Sequence, residues 1–118
     1  MIDPSTRIER IAQQANDPST ATIVLDVVLG FGAHDDPAGA LAPAIVQAKA
    51  TSARDGRYLS VVAFVCGTEA DPQCLSAQQA KLADAGAVVM PGSTAAARLA
   101  GQIGRLAASH PASRAAQR

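Results

Sequence analysis

Apolar positions along the chain fall into seven segments of alternating character. In the first, Ile8, Ile11, Ala12 and Ala15 recur at i, i+3, i+4 and i+7, while Arg7, Glu9, Arg10, Gln13 and Gln14 take the other side. That spacing is one apolar stripe of a surface helix. Asp3-Pro4 precedes it as a cap followed by proline at the first helical position, and Asn16-Asp17-Pro18 ends it. The next segment, Ala21 to Leu29, carries the continuous run Ile23-Val24-Leu25-Asp26-Val27-Val28-Leu29. Unbroken β-branched residues predict a strand buried on both faces. Gly30-Phe31-Gly32-Ala33-His34-Asp35-Asp36-Pro37 then predicts a glycine-bearing turn that feeds a helix.

The same alternation repeats twice. Leu41, Ala44, Ile45 and Ala48 predict a second helix ending near Asp55-Gly56. Pro43 is tolerable only near the start of that helix, so its regular part is expected to begin between Pro37 and Leu41. Tyr58 to Cys66 reads as a second strand with Val61, Val62, Phe64 and Val65 buried, followed by the turn Gly67-Thr68-Glu69-Ala70-Asp71-Pro72. A third helix runs to about Ala85, where Gly86 is a natural left-handed terminator. Ala87 to Met90 is a short third strand. Gly92-Ser93-Thr94 caps a last helix with Leu99, Ile103 and Leu106 on one side. Residues 1–108 therefore read as one domain and 109–118 as a frayed tail.

An α-β-α-β-α-β-α order calls for a parallel sheet, right-handed crossovers and helices on both faces. The fold class is α/β, a three-layer sandwich around a small sheet. All three strand-to-helix turns then share one sheet edge. Three strands make a small sheet, which suggests part of something larger.

Composition narrows the function. Ten basic residues balance ten acidic ones, so there is no electrostatic footprint for nucleic acid. No run approaches the ~20 apolar residues of a membrane span, and Met1-Ile2-Asp3-Pro4 lacks the basic and apolar regions expected of a signal peptide. A cytoplasmic protein is expected, with no membrane partner. Cys66 and Cys74, spaced C-x7-C, match no zinc or redox signature and are expected to be reduced thiols.

The candidate chemistry sits in the turns. The first holds His34, Asp35 and Asp36, the second Glu69 and Asp71, the third Ser93 and Thr94, and none holds Lys or Arg. Gly30-x-Gly32 continues neither as a dinucleotide fingerprint nor as a phosphate loop. Asp36 and Asp71 each precede proline and are expected to be N-caps. His34 is either a base or metal ligand beside Asp35 and Glu69, or an ordinary hydrogen-bonding side chain. Asp26, inside an apolar strand, would cost several kcal/mol if buried unpaired. It must meet a partner across the sheet, face an interface, or serve a site. His34, Asp26 and Asp35 are thus the candidate catalytic residues. Gly30, Gly32, Gly67, Thr68, Glu69 and Asp71 form the candidate binding turns, and no metal-ligand set is assigned.

Three motifs carry a resemblance: Met1-Ile2-Asp3-Pro4-x-x-Arg7; Val24-Leu25-Asp26-x-Val28-Leu29-Gly30-x-Gly32-Ala33-His34-x-Asp36-Pro37-Ala38; and Val65-Cys66-Gly67-Thr68-x-Ala70-Asp71-Pro72-Gln73. Together they resemble the C-terminal part of the FdrA family, bacterial proteins similar to the α subunit of succinyl-CoA synthetase. The resemblance runs from Met1 to about Ala100. It implies a flavodoxin-like CoA-ligase domain that follows other CoA-ligase-type domains in longer members. It also implies a role in acyl or carbamoyl transfer, as a ligase or transferase component. In succinyl-CoA synthetase the corresponding turn carries a phosphorylated histidine, whereas Gly67 to Gln73 here contains none. CoA or ATP would then act only through other domains, with Mg as a candidate cofactor. The expected partners are CoA-ligase-type domains or subunits, or a second copy in a homo-oligomer. The alternative is a non-catalytic docking or oligomerisation module. By either reading the isolated chain is expected to be inactive.

Overall fold

A computed structural model describes residues 4–108. Helix α1 (Ser5–Ala15) leads into strand β1 (Thr22–Val28), then α2 (Pro37–Arg54), β2 (Ser60–Cys66), α3 (Leu75–Asp84), β3 (Val88–Met90) and α4 (Ser93–Ala108). The strands lie in the order β1-β2-β3, all parallel, with Val24 beside Val62 and Val62 beside Val88. The expected α/β class, element order and common turn edge are all present. The result is a flavodoxin-like α/β/α arrangement with a small sheet.

The two faces of the sheet are covered unequally. Leu25, Val27 and Leu29 of β1, with Val61, Ala63 and Val65 of β2, pack against Leu41, Ile45 and Ala48 of α2 and Leu82 of α3. This is the core. It excludes water from the helix layer, in which α1 packs on α2 and α2 on α3. On the opposite face α4 crosses all three strands, yet only Val62 and Ala96 are fully covered there among the described residues. Val24 and Val28 stay 46% and 50% exposed. The expectation that β1 is buried on both faces therefore fails. Parallel strands are normally sandwiched, but one helix made of Ala, Gly and few large side chains cannot blanket this face.

Several local expectations shift as well. Pro4 is the N-cap of α1, one position before its first helical residue, and Asp3 lies outside the described residues, as do residues 109–118. Ala12 is exposed, so the α1 stripe is Ile8, Ile11 and Ala15. Helix α2 begins at Pro37, which leaves Pro43 in its second turn, where its exposed position lets the unpaired carbonyl one turn back reach water. Tyr58 precedes β2 and is exposed, because the strand starts at Ser60. Leu106 is exposed, and α4 presents Ala96, Leu99 and Ile103 inward instead.

One polar latch fixes α1 to the end of α2. Arg57 is buried, and its Nη2 donates to Ala15 O at 2.7 Å and to Asp55 Oδ2 at 3.1 Å, while Nη1 donates to Asp17 O at 3.1 Å. A cation on the last carbonyl of a helix satisfies an orphan acceptor and complements the helix dipole. Ser52 Oγ, also buried, donates to the same Ala15 carbonyl at 3.4 Å. Replacing Arg57 with Met removes the donor to Asp17 O and leaves Ala15 O only the long Ser52 bond. It is expected to lower stability by about 2–4 kcal/mol, read as a shift in the urea midpoint. Arg57→Lys should recover only part of the loss, since one ammonium cannot span both acceptors.

Candidate functional site

A cleft of about 370 Å³ opens at the carboxyl end of β1. Its polar walls are Arg7 from α1, Asp26 from β1 and His34 from the turn before α2; Leu29, Pro37 and Leu41 form its apolar floor. The strand ends at Val28 because Gly30 adopts φ +135°, a left-handed backbone that an L side chain rarely takes. That reversal turns the chain outward and places His34 over the strand end.

Asp26 is neither buried nor paired across the sheet. Its side chain is 58% exposed, and Arg7 Nη2 donates to its Oδ1 at 3.2 Å. The expected burial penalty does not arise. β1 is an edge strand, and Asp26 shares its side with the half-exposed Val24 and Val28. The partner comes from α1, nineteen positions earlier in the chain.

His34 is held in one orientation. Its Nδ1 accepts from Asp36 N–H at 2.9 Å, and its carbonyl accepts from Gln73 Nε2 at 2.9 Å. With Nδ1 engaged as an acceptor, the ring proton sits on Nε2, and Nε2 is the atom left for a ligand. Gln73 also receives Gly30 N–H on Oε1 at 3.1 Å and donates Nε2 to Gly30 O at 2.9 Å. One buried amide thus closes both polar groups of the reversing glycine and the carbonyl of the histidine.

Asp36 caps α2 as expected: its Oδ1 accepts from Gly39 N–H at 3.1 Å. It is also tied to α3. Lys81 Nζ lies 2.8 Å from its Oδ2, and Gln78 Nε2 donates to its Oδ1 at 2.8 Å. Gln78, itself buried, receives Ala38 N–H on Oε1. The Lys81 contact above all, then Gln78, holds the Asp36 carboxyl below its usual 3.8, against a small opposing effect of burial. A basic residue therefore does reach the first turn, from a helix rather than from the turn itself.

The second turn is self-contained. Asp71 is not the cap of α3; its Oδ2 accepts from Thr68 N–H at 2.7 Å and from Thr68 Oγ1 at 3.3 Å. The N-cap is Cys74, at φ +62°, and Glu69 reaches past it. Glu69 Oε1 accepts from Ser76 N–H at 2.8 Å, and its Oε2 accepts from Cys74 Sγ and Ser76 Oγ, each at 3.0 Å. The Cys74 thiol, followed by the Ser76 hydroxyl and amide, lowers the Glu69 carboxyl from its usual value. Gly67 is required where this turn crosses Leu29, because a Cβ there would lie 2.7 Å from the Leu29 side chain.

The candidate residues thus separate into two groups. His34, Asp26, Gly30 and Gly32 line the cleft. Gly67, Thr68, Glu69 and Asp71 lie on the same sheet edge but do not line it, and Asp35 is exposed beside it. The expected gathering of carboxylates around His34 does not form. Each of Asp36, Glu69 and Asp71 is consumed by its own hydrogen bonds, and no cluster of three His, Cys, Asp or Glu side chains occurs among the described residues. Arg7, Gln73, Gln78 and Lys81 were not singled out by type, although Arg7 and Gln73 stand inside the motifs quoted above. Both cysteines are free thiols, and no helix of the described residues is long and apolar enough to cross a membrane.

A parallel sheet of this kind, with its cleft at the strand carboxyl ends, is the architecture of ligand-binding α/β domains. The profile of the CoA-ligase family matches residues 1–103, and the chain belongs to that family. A relative is the uncharacterised protein YahF of Escherichia coli K12, 47% identical over 94 residues. That match takes in 80% of this chain but 18% of YahF, so the chain spans about a fifth of the relative's length.

Two measurements test the polar framework of the site. Gln73→Leu leaves Gly30 N–H and His34 O unpaired, while Gly30 O keeps only the Ala33 N–H; it is expected to cost about 1–3 kcal/mol, with amide exchange at Gly30 accelerating more than at Val27. Asp36→Ala is expected to cost about 1–2 kcal/mol at pH 7, from a lost cap and a partly exposed ion pair. Because the folded-state carboxyl is depressed, its contribution is complete above 3.8 and disappears as pH falls below that value through the folded-state one. The difference in urea midpoint between wild type and Asp36→Ala should therefore narrow below pH 3.8.

Proposed function

We propose that the chain is the C-terminal CoA-ligase-type module of an FdrA-type, acyl-CoA-synthetase-like protein, contributing to acyl or carbamoyl transfer together with partner domains and without a phosphohistidine. The observation that carries this reading is the pairing of two facts. The family-typical turn Gly67 to Gln73 contains no histidine, while the neighbouring turn supports His34 with its Nε2 left unused at a cleft that also contains Arg7 and Asp26. A carboxylate and a guanidinium side by side accept and donate hydrogen bonds, which suits an amide-like or carboxyl head group. His34 Nε2 would donate to, or exchange a proton with, the group held there.

The residues present do not suit CoA or ATP by themselves. Phosphates bind at helix N-termini through free amides, but Gly39 N–H is taken by Asp36, Ala38 N–H by Gln78 and Ser76 N–H by Glu69. Lys81 already faces Asp36. No step is therefore assigned to either compound on this chain.

The second reading, a docking module, is favoured by Val24, Val28 and Val88 on the thinly covered sheet face and by Phe31, 94% exposed between two glycines. Titration calorimetry of the isolated chain is expected to give no micromolar binding of ATP or CoA. In the assembled protein, His34→Ala should lower acyl or carbamoyl transfer at least tenfold while the unfolding free energy of the chain in urea stays within about 1 kcal/mol of wild type. Full activity in that variant would leave docking as the better account.

A further inference from the structure

The backbone of β1 serves only one neighbour. Leu29 N–H donates to Cys66 O at 2.9 Å, and Ala21 O receives Ser60 N–H at 3.2 Å. In a parallel strand each residue turns its N–H and C=O to one side, and the next residue turns them to the other. The odd-numbered residues of β1 therefore bond β2. Thr22, Val24, Asp26 and Val28 turn their main-chain donors and acceptors toward the outer edge, where no strand lies among the described residues. Exposed sheet edges normally carry Pro, Lys or a bulge that discourages pairing. β1 has neither Pro nor Lys across Thr22–Val28 and keeps an unbroken register, and its one charge, Asp26, is paired with Arg7.

The helix layer overhangs that edge. α2 joins β1 to β2 and α3 joins β2 to β3, whereas α1 packs on α2 and reaches β1 through the Arg7–Asp26 ion pair. Between α1 and β1 lies a groove of about 370 Å³, walled by Arg10, Ile11 and Gln14 on one side and Thr22, Val24 and Leu25 on the other. Arg7 lines both this groove and the cleft described above, so the two lie end to end along β1 on either side of Arg7. Thr22 Oγ1 is buried there with no hydrogen-bond partner. Arg10 has no ion-pair partner among the described residues.

We propose that the outer edge of β1 is a strand-docking site, occupied by one extended segment of a second polypeptide. The segment carries β-branched apolar residues that extend the sheet beside Val24 and Val28, and one carboxylate that meets Arg10. A strand there lies over α1, pairs the main-chain groups of Thr22, Val24, Asp26 and Val28, and passes Asp26 as a further wall of the cleft. Main-chain pairing supplies the affinity and the side chains the selectivity, as in strand addition generally. A second copy of this chain would bring its own α1 beside the same groove, which disfavours pairing between two β1 edges. The inference rests on the reading that partner polypeptide completes the module, but it is tested separately.

The test is amide hydrogen exchange on the full chain, alone and with an end-capped eight-residue peptide of Val, Ile and Thr containing one Glu. Alone, the amides of Val24, Asp26 and Val28 should exchange at least tenfold faster than those of Ile23, Leu25 and Val27. The peptide should slow the first set and leave the second unchanged. A Gln-containing counterpart, or Arg10→Glu, should weaken the effect at least threefold. Val24→Pro removes an edge donor without touching the β2 ladder and should abolish protection while Leu25 and Val27 stay slow. Even-numbered amides as slow as odd-numbered ones in the monomeric chain, or unaltered by peptide, would overturn the proposal. So would protection that grows with chain concentration alone alongside a dimer in sedimentation, which would assign the edge to a second copy. None of these results bears on whether His34→Ala lowers transfer in the assembled protein.

Discussion

The alternation of a single strand governs what this chain builds. Along β1, one set of residues supplies both the main-chain bonds to β2 and the side chains that fill the core beneath α2. The other set receives neither, because β1 lies at the sheet edge and α4 covers its outer face only thinly. Asp26 belongs to this second set. A carboxylate is tolerable in so apolar a strand because its side chain meets water and Arg7 rather than the interior. The site thus exists where the sheet stops.

Around that strand end the polar side chains are held from a distance. Gln73 and Gln78 lie some forty residues beyond the turn they hold, and each uses a buried amide as both donor and acceptor. Buried amides satisfied at both ends rigidify a turn, whereas half-satisfied ones would destabilise it. Their effect is to make the first turn depend on α3, through Gln78, and on the residue two before it, Gln73. The histidine is consequently placed by tertiary structure, while the second turn, closed by Thr68, Asp71 and Glu69, is placed by its own sequence. This division accounts for which turn offers unused chemistry.

The order and direction of the elements were legible in the sequence because helix and strand periods alternate cleanly and Asp-Pro and glycine mark the joints. Left-handed Gly86 after α3 and the Asp36 cap follow from local chemistry alone. The one-sided burial of β1 was not legible. A run of Ile, Val and Leu reads the same whether its second face meets a helix, another polypeptide or solvent. Asp71 misled for a related reason: aspartate before proline serves a helix cap and a tight turn equally, and Glu69 took the helical amide instead. The glutamines escaped notice because nothing in their immediate neighbourhood requires them. The family resemblance had included Gln73 and Arg7 within its motifs, without indicating what either touches.

The agreement between strand order and chain order has a kinetic meaning. Each strand pairs with the strand that precedes it along the polypeptide, so no strand must thread between two already docked. Crossovers of this kind close loops of moderate length in sequence, and loop-closure entropy grows slowly with length. The chain can therefore consolidate from its amino-terminal side as it emerges, with β2 completing the ladder of β1 and β3 extending it. α4 is the exception. It crosses all three strands, so it has no surface to pack on until the sheet exists, and its arrival closes the folding sequence.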